Sequence, residues 1–212
     1  MKAMILAAGF GERLRPLTLA TPKPLIPVGG VPNIHRILRL LEANGFRDIV
    51  VNLHHLGEKI QESVGDGAAF GVRVSYSPEK EILGTGGGIK GAQQLIGDET
   101  FLVINGDILI SIALTDVVRF HREHGGAATL VVRDDPSLDG YGAIMVDSGG
   151  RVRDILRLVD RAPGLLPRLF TGIQVLEPIF FNYLPEPIPA STTRKAEEDV
   201  KKGLQVSPSA LS

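Results

Sequence analysis

The stretch MKAMILAAGFGERLRPLTLATPKPLIPVGG, residues 1–30, decides the fold. Its opening, AMILAA, is an apolar run of strand length. Within a few residues it gives way to Gly9, Gly11, Arg13, Arg15, Lys23 and the prolines 16, 22 and 24, with almost no core material. A turn needs only one or two residues of that kind. Gly9 and Gly11 permit positive φ and let backbone N–H groups approach phosphate oxygens closely. Arg13, Arg15 and Lys23 add the full charges that peptide dipoles lack, and guanidinium forks engage phosphate oxygens bidentately. A strand running into such a loop marks an α/β sheet with an anion site at its carboxyl edge. The dinucleotide fingerprint does not fit, because GFGERL has Leu14 where its third glycine belongs; neither does the P-loop, because no Gly-Lys-Ser/Thr follows.

The rest of the composition is that of one ordinary α/β domain. The 212 residues are 43 % hydrophobic and 22 % charged, with a formal net charge of −1. That balance gives no global pull toward nucleic acid or an anionic membrane surface. The chain has no cysteine, which excludes disulfides and thiolate zinc sites and makes a reducing compartment the default. MKAMILAAG imitates a signal peptide, but its apolar run stops at Gly9 and Glu12, Arg13 and Arg15 follow, so the segment is too short. No apolar stretch reaches spanning length. The expectation is a soluble, cytoplasmic protein.

Short apolar runs alternate with helical patterns. AMILAA, DIVVNL (48–53), VRVSYS (72–77), FLVING (101–106) and AATLVVR (127–133) read as strands. Ile34, Ile37, Leu38 and Leu41 fall on one helix face, with Pro32 where a first turn tolerates it. GEKIQESV and TDVVRFHREH are shorter amphipathic helices, the second with Thr115 or Asp116 as its cap. This repetition predicts right-handed crossovers and a mainly parallel sheet. YGAIMVDSGGRVRDILRL reads as a hairpin with a Gly-Gly turn, and LFTGIQVL as a further strand. A single domain is expected over 1–212, its texture changing after about residue 135. Residues 191–212 read as a truncated or frayed tail with one short charged helix.

Two further loaded segments sit at strand ends. ILGTGGGIKGA (82–92) places Thr85 as cap of a helix opening on Gly86, Gly87 and Gly88. That is a poor helix former, tolerated where a flat backbone surface must meet a base or a sugar. FLVINGD ends a strand on Asp107, a natural oxygen ligand for a hard cation that keeps few protein carboxylates plus substrate phosphates. His54 and His55 are adjacent, so on a strand they point to opposite faces and share no metal. His121 and His124 fit one helix face without a third ligand and read as solvated.

LAAGFGERLRPLTLATPKPLIPVGGVP resembles the signature of the sugar-1-phosphate nucleotidyltransferases, the NDP-sugar pyrophosphorylases. The resemblance implies a Rossmann-like, three-layer α/β/α fold of the nucleotide-diphospho-sugar transferase type, with a mainly parallel mixed sheet. With that fold it implies a nucleotide-binding part over 1–135, a sugar-binding part over 136–190, and transfer of a nucleotidyl group from an NTP to a sugar 1-phosphate. It implies Arg13, Lys23 and Asp107 as catalytic residues, with Mg²⁺ as cofactor on Asp107. The nucleotide would be held by Ala8, Gly9, Gly11, Glu12, Arg13, Glu79, Gly84, Thr85 and Gly86. LGTGGG resembles the mannose- and heptose-1-phosphate guanylyltransferases more than the GLAQA-type loop of thymidylyl and uridylyl enzymes. GTP and a mannose- or heptose-type sugar are therefore favoured, Glu79 and Glu81 being carboxylates to which guanine can offer N1–H and its amino group. Muramic-acid-1-phosphate uridylyltransferases carry a similar TGGG loop, which keeps uridylyl transfer to a muramic-acid or hexose 1-phosphate open.

DGYGAIMVD and LFTGIQVLEP resemble the family's sugar-side segments. They imply Asn105, Gly142, Thr171 and Gly172 as sugar-phosphate contacts. The usual Glu-Lys-Pro is missing, which leaves Arg157 or Arg161 as the basic partner of the sugar phosphate. The Trp-x-Asp segment with the second metal carboxylate is also missing, and Asp199 reads as a solvated helix residue. A catalytically impaired nucleotide-sensing module is thus the alternative of another class. Expected partners are the two substrates, neither nucleic acid nor membrane, with a homo-oligomer allowed.

Overall fold

Alternation of apolar residues on both sides of each strand builds the molecule outward from β1 (Ala3–Leu6). Ala3 and Ile5 enter one core and Met4 the other, and all three are buried, as the two-residue period of a strand requires. The computed structural model describes residues 1–135, 143–155 and 164–184. Within them β2 (Pro27–Val28) and β3 (Val31–Pro32) form a small separate ladder. The main sheet comprises β1, β4 (Asp48–Leu53), β5 (Arg73–Pro78), β6 (Phe101–Asn105), β7 (Ala128–Arg133), β8 (Ala143–Val146), β9 (Val152–Ile155) and β10 (Leu166–Leu176).

The strand order is β5-β4-β1-β6-β10-β8-β9, with β7 also paired to β10. The block β5-β4-β1-β6 is parallel throughout. β10 then runs antiparallel to β6, β7 and β8, and β8 and β9 form the expected hairpin. AATLVVR therefore enters the sheet antiparallel, against the late strand β10, rather than through a crossover to a parallel neighbour.

Helices cover both faces. α2 (Asn33–Ala43), α3 (Gly57–Val64) and α6 (Leu114–His124) bury Ile34, Ile37, Leu38, Leu41, Ile60, Val64, Leu114 and Val117 against one face. On the other, α4 (Gly84–Gly91) and α5 (Gln93–Ile96) bring Ile89 and Ile96 onto Met4, Val50 and Val103. Phe101 and Phe181 stack there with ring centroids 5.3 Å apart. A short α1 (Leu17–Ala20) lies in the first loop. Among the described residues no helix is long and apolar enough to cross a membrane.

Three local expectations are corrected. α6 starts one residue early, on Leu114, so Thr115 and Asp116 lie in its first turn and the position before it is Ala113, with no side-chain cap. Asp116 there still suits the positive end of the helix dipole. Pro32 precedes α2 instead of opening it. His121 is not solvated: it is 1 % exposed, and its ring nitrogens meet Thr129 Oγ1 at 2.8 Å and Glu177 Oε1 at 2.9 Å. The return of β7 and β10 beside α6 buries it, whereas His124 stays exposed and stacks on Phe120.

Candidate active site

Three strand ends meet at the carboxyl edge of the parallel block. In register, Leu6 lies opposite Asn52 of β4 on one side and Asn105 of β6 on the other. The chain leaving β1, β5 and β6 turns over this edge and encloses a cavity of about 210 Å³. Ala8, Gly9 and Lys23 line it from the first loop, Gly84 and Thr85 from the start of α4, and Asn105 and Asp107 from the end of β6. These seven residues, drawn from three segments far apart in sequence, were each expected at the site.

The first loop is pinned from beneath. Gly11 takes φ +63°, and a Cβ there would come within 2.7 Å of Thr18 Cγ2. Thr18 is buried, its hydroxyl donates to the Gly11 carbonyl at 3.0 Å, and its own carbonyl accepts from His55 Nε2 at 2.7 Å. Lys59 donates to the Ala20 carbonyl at 2.6 Å. Positive φ is confined here to Gly11; Gly9 has an ordinary φ, and a side chain on it would meet open space. Glu12 and Arg13 are exposed in the turn Glu12–Leu14 outside the cavity lining, and Glu12 pairs with Arg15 at 3.5 Å.

Across the cavity Lys23 from the first loop and Asp107 from the third form an ion pair. The loop carrying Asp107 is held from behind by Asn33, whose Nδ2 donates to the carbonyls of Gly106 at 3.1 Å and Ile108 at 3.0 Å. Among the described residues no group of three or more His, Asp or Glu side chains could cage a metal ion. A single cavity-wall carboxylate with room for phosphate oxygens is nevertheless a donor set that Mg²⁺ accepts. On this chemistry Asp107 fits the ion.

Several expected residues take other roles. Thr85 does not cap α4: the helix starts on Gly84 without a side-chain cap, and Thr85 stands in its first turn facing the cavity. Gly86 lies against Leu184 instead of the cavity. Glu79 is 9 % exposed and absent from the lining; one of its oxygens accepts from Asn52 and the other from the Leu83 N–H. The Thr171 hydroxyl donates to the Val131 carbonyl at 2.8 Å, inside the β7–β10 pairing. Gly172 is buried at φ +87° and abuts the Asn105 amide. Gly142, Arg157, Arg161 and Asp199 lie outside the described residues.

His54 and His55 follow the last residue of β4, so the two-face rule for strands does not govern them. Both rings flank Phe10, at centroid distances of 5.3 and 5.5 Å.

The sequence model of the family described as "Nucleotidyl transferase" matches residues 2–157, which span all three converging loops. This chain belongs to the nucleotidyl transferase family. It is 39 % identical over 198 residues to a UTP–glucose-1-phosphate uridylyltransferase of Synechocystis, covering 87 % of this chain and 51 % of that protein. It is 42 % identical over 187 residues to an N-acetylmuramate alpha-1-phosphate uridylyltransferase of Neisseria meningitidis, covering 86 % and 78 %. It is 32 % identical over 195 residues to a mannose-1-phosphate guanylyltransferase of Mycobacterium tuberculosis, covering 91 % and 53 %. The chain thus spans about half the length of two of these relatives. Among solved structures, HddC from Yersinia pseudotuberculosis complexed with GMP-PN matches with TM-score 0.73 and 26 % identity, over 88 % of this chain and 80 % of that one. A UDP-glucose pyrophosphorylase complexed with UDP-glucose shares the fold, with TM-score 0.71 at 19 % identity, over 85 % and 77 %.

In this nucleotidyl transferase two asparagines escape a reading by motif. Asn33 and Asn52 are 4 % and 2 % exposed. Each had one visible signal, an amide within an otherwise apolar helix face or strand, and such amides are buried only when hydrogen-bonded.

Proposed function

We propose that this nucleotidyl transferase moves a nucleotidyl group from an NTP to a sugar 1-phosphate, releasing pyrophosphate. The observation that carries the proposal is the Lys23–Asp107 pair across a cavity walled by the glycine loop and the N-terminal turn of α4. A sugar-phosphate oxygen attacks the α-phosphorus, the bond to the β-phosphate oxygen breaks, and pyrophosphate leaves opposite the incoming oxygen. A phosphate monoester is a competent nucleophile without a general base, so catalysis is positioning and charge neutralisation. Asp107 would hold Mg²⁺ together with substrate phosphates, and bound there the ion would neutralise charge as it develops. Lys23 changes partner from Asp107 to the phosphates, bringing its charge to the reacting centre. Arg13, exposed on the rim, reaches the outer phosphates of the NTP. Backbone N–H groups of Ala8 and Gly9 face the triphosphate, and Asn105, with Gly172 behind it, faces the sugar phosphate. Gly84 and Thr85 offer backbone surface to the base. On this reading residues 1–135 are the nucleotide-binding part of one domain, and 136–190 supply the sugar side.

For the finer choice, the GTGGG opening of α4 supports GTP with a mannose- or heptose-type 1-phosphate. A second reading, UTP with a muramic-acid or hexose 1-phosphate, is supported by the higher identities to the two uridylyltransferases. The test is a coupled pyrophosphate assay with GTP, UTP, dTTP and CTP against a panel of sugar 1-phosphates. Lys23→Ala or Asp107→Ala is expected to lower turnover on the order of a thousandfold while the protein stays folded. Near-normal turnover in either variant removes that residue from the mechanism. Calorimetric NTP binding by the wild-type chain without pyrophosphate release from any pair would replace the enzyme by a nucleotide sensor.

A further inference from the structure

The glycine-loop and α4 walls of the cavity are joined at its floor by one buried polar bridge, whose Ala7 and Asn52 belong to the cavity lining. Asn52 stands at the end of β4, 2 % exposed. Its Oδ1 accepts the N–H of Ala7, in the first loop, at 2.8 Å. Its Nδ2 donates to Glu79 Oε1 at 2.7 Å, and Glu79 Oε2 accepts the N–H of Leu83, the residue before α4, at 2.9 Å. Gly88 of α4 packs directly on this pair: a Cβ there would stand 2.7 Å from Asn52 Nδ2 and 2.8 Å from Glu79 Oε1. His54 adds a strut, its Nδ1 donating to the Glu79 carbonyl at 3.0 Å while its ring packs on Phe10 of the first loop.

The polarity of the bridge is fixed. Ala7 and Leu83 each bring only a donor, so the pair between them must present an acceptor at both ends and one donor–acceptor contact in the middle. An amide at 52 and a carboxylate at 79 satisfy this. In so apolar a setting a reversed or repelling pair is costly, because a buried polar group left without its partner bears its full desolvation penalty.

We propose that Asn52 and Glu79 are positioning residues that set the gap between the glycine loop and α4, and hence nucleotide affinity. This rests on the nucleotidyl-transfer reading for its kinetic consequence, but not for the bridge itself. Glu79→Gln offers one acceptor to two donors. Asn52→Asp sets two carboxylates against each other. The double variant Asn52→Asp/Glu79→Gln restores the pattern: the carboxylate at 52 accepts from Ala7 and from the amide at 79, whose carbonyl accepts from Leu83. Gly88→Ala leaves both polar residues intact and forces them apart.

The experiment measures KM and kcat with GTP, UTP, dTTP and CTP for the wild type, both single variants, the double variant and Gly88→Ala. Amide hydrogen exchange at Ala7 and Leu83 is followed in parallel. Each single variant and Gly88→Ala should raise KM for every nucleotide by the same factor, about tenfold for one or two buried hydrogen bonds lost. The turnover number should hold within about twofold, because Lys23 and Asp107 lie outside the bridge. Protection of both amides should fall together, and the double variant should recover KM and protection. The assignment is overturned if Glu79→Gln changes the preference among nucleotides and the double variant stays defective, since Glu79 then reads the base directly. It is equally overturned if the single variants leave KM and amide protection unchanged. If the wild type turns over no nucleotide, the nucleotidyl-transfer reading fails by itself, and loss and recovery of amide protection still decide for or against the bridge.

Discussion

Gly172→Ala probes the contact between the last strand and the cavity. Gly172 has φ +87°, and the register of β10 against β7 shifts between Phe170 and Gln174 around it. A Cβ at this position would stand 2.8 Å from Asn105 Nδ2, 3.0 Å from its Cγ and 3.1 Å from its Cβ. Holding alanine in the left-handed region costs roughly 1–2 kcal/mol. Forcing the Asn105 side chain away in a packed site adds roughly 1–3 kcal/mol. Together these come to roughly 2–5 kcal/mol, and at about 2–4 °C of melting temperature per kcal/mol for this size the variant should melt about 4–20 °C lower. Differential scanning calorimetry at fixed pH and protein concentration measures it. Asn105→Ala removes two of the three close atoms but leaves the Cβ, so the double variant should show a favourable coupling of about 1 kcal/mol. A Tm within about 2 °C of wild type, or strictly additive effects, would refute the claim that Gly172 is there to let β10 approach Asn105.

Two further outcomes follow from ion pairs and titration. Lys23 neutralises Asp107 before any substrate arrives, so a divalent ion must compete for that carboxylate. Lys23→Met should tighten Mn²⁺ binding to the nucleotide-free protein roughly two- to fivefold, the worth of a partly exposed ion pair of up to about 1 kcal/mol; unchanged binding in calorimetry contradicts the competition. His35 is held below its ordinary pKa of 6.5, first by burial, with its bond to Ser63 opposing and Arg39 adding to the shift. A depressed histidine favours the fold above the unfolded-state value and loses that contribution as pH falls through its folded pKa. Chemical-denaturation midpoints should therefore decline below about pH 6.5 in the wild type and decline less in His35→Gln, and parallel profiles would dismiss the effect.

Much of the sheet was legible because periodicity is local. DIVVNL and GEKIQESV fill β4 and α3 residue for residue, since β4 is a short apolar run buried on both faces and α3 buries one face of a short helix. The three chemical segments were legible because every parallel strand delivers its following loop to the same edge. What escaped depends on partners distant in sequence. His121 reads as a surface histidine on its own helix, and only Glu177 and Thr129 explain its burial. Glu79 reads as a base acceptor, and its bonds to Asn52 and to the Leu83 N–H could not be read from the sequence. Thr85 reads as a cap because threonine favours that place, but the helix opens two residues earlier than Gly86, at Gly84 with φ +71°. Asn33 shows locally only an amide on an apolar helix face, and nothing near it in sequence points to the loop more than seventy residues away that it holds.

The central claim is that the cavity joins an NTP to a sugar 1-phosphate. The most direct measurement is ³¹P NMR of the wild-type chain with Mg²⁺, each NTP and each sugar 1-phosphate. For at least one pair the triphosphate and monoester signals should fall together while a diphosphate diester and free pyrophosphate grow in equal amounts. Lys23→Ala should suppress that conversion. Unchanged substrate signals for every pair, under conditions where calorimetry detects nucleotide binding, would contradict it.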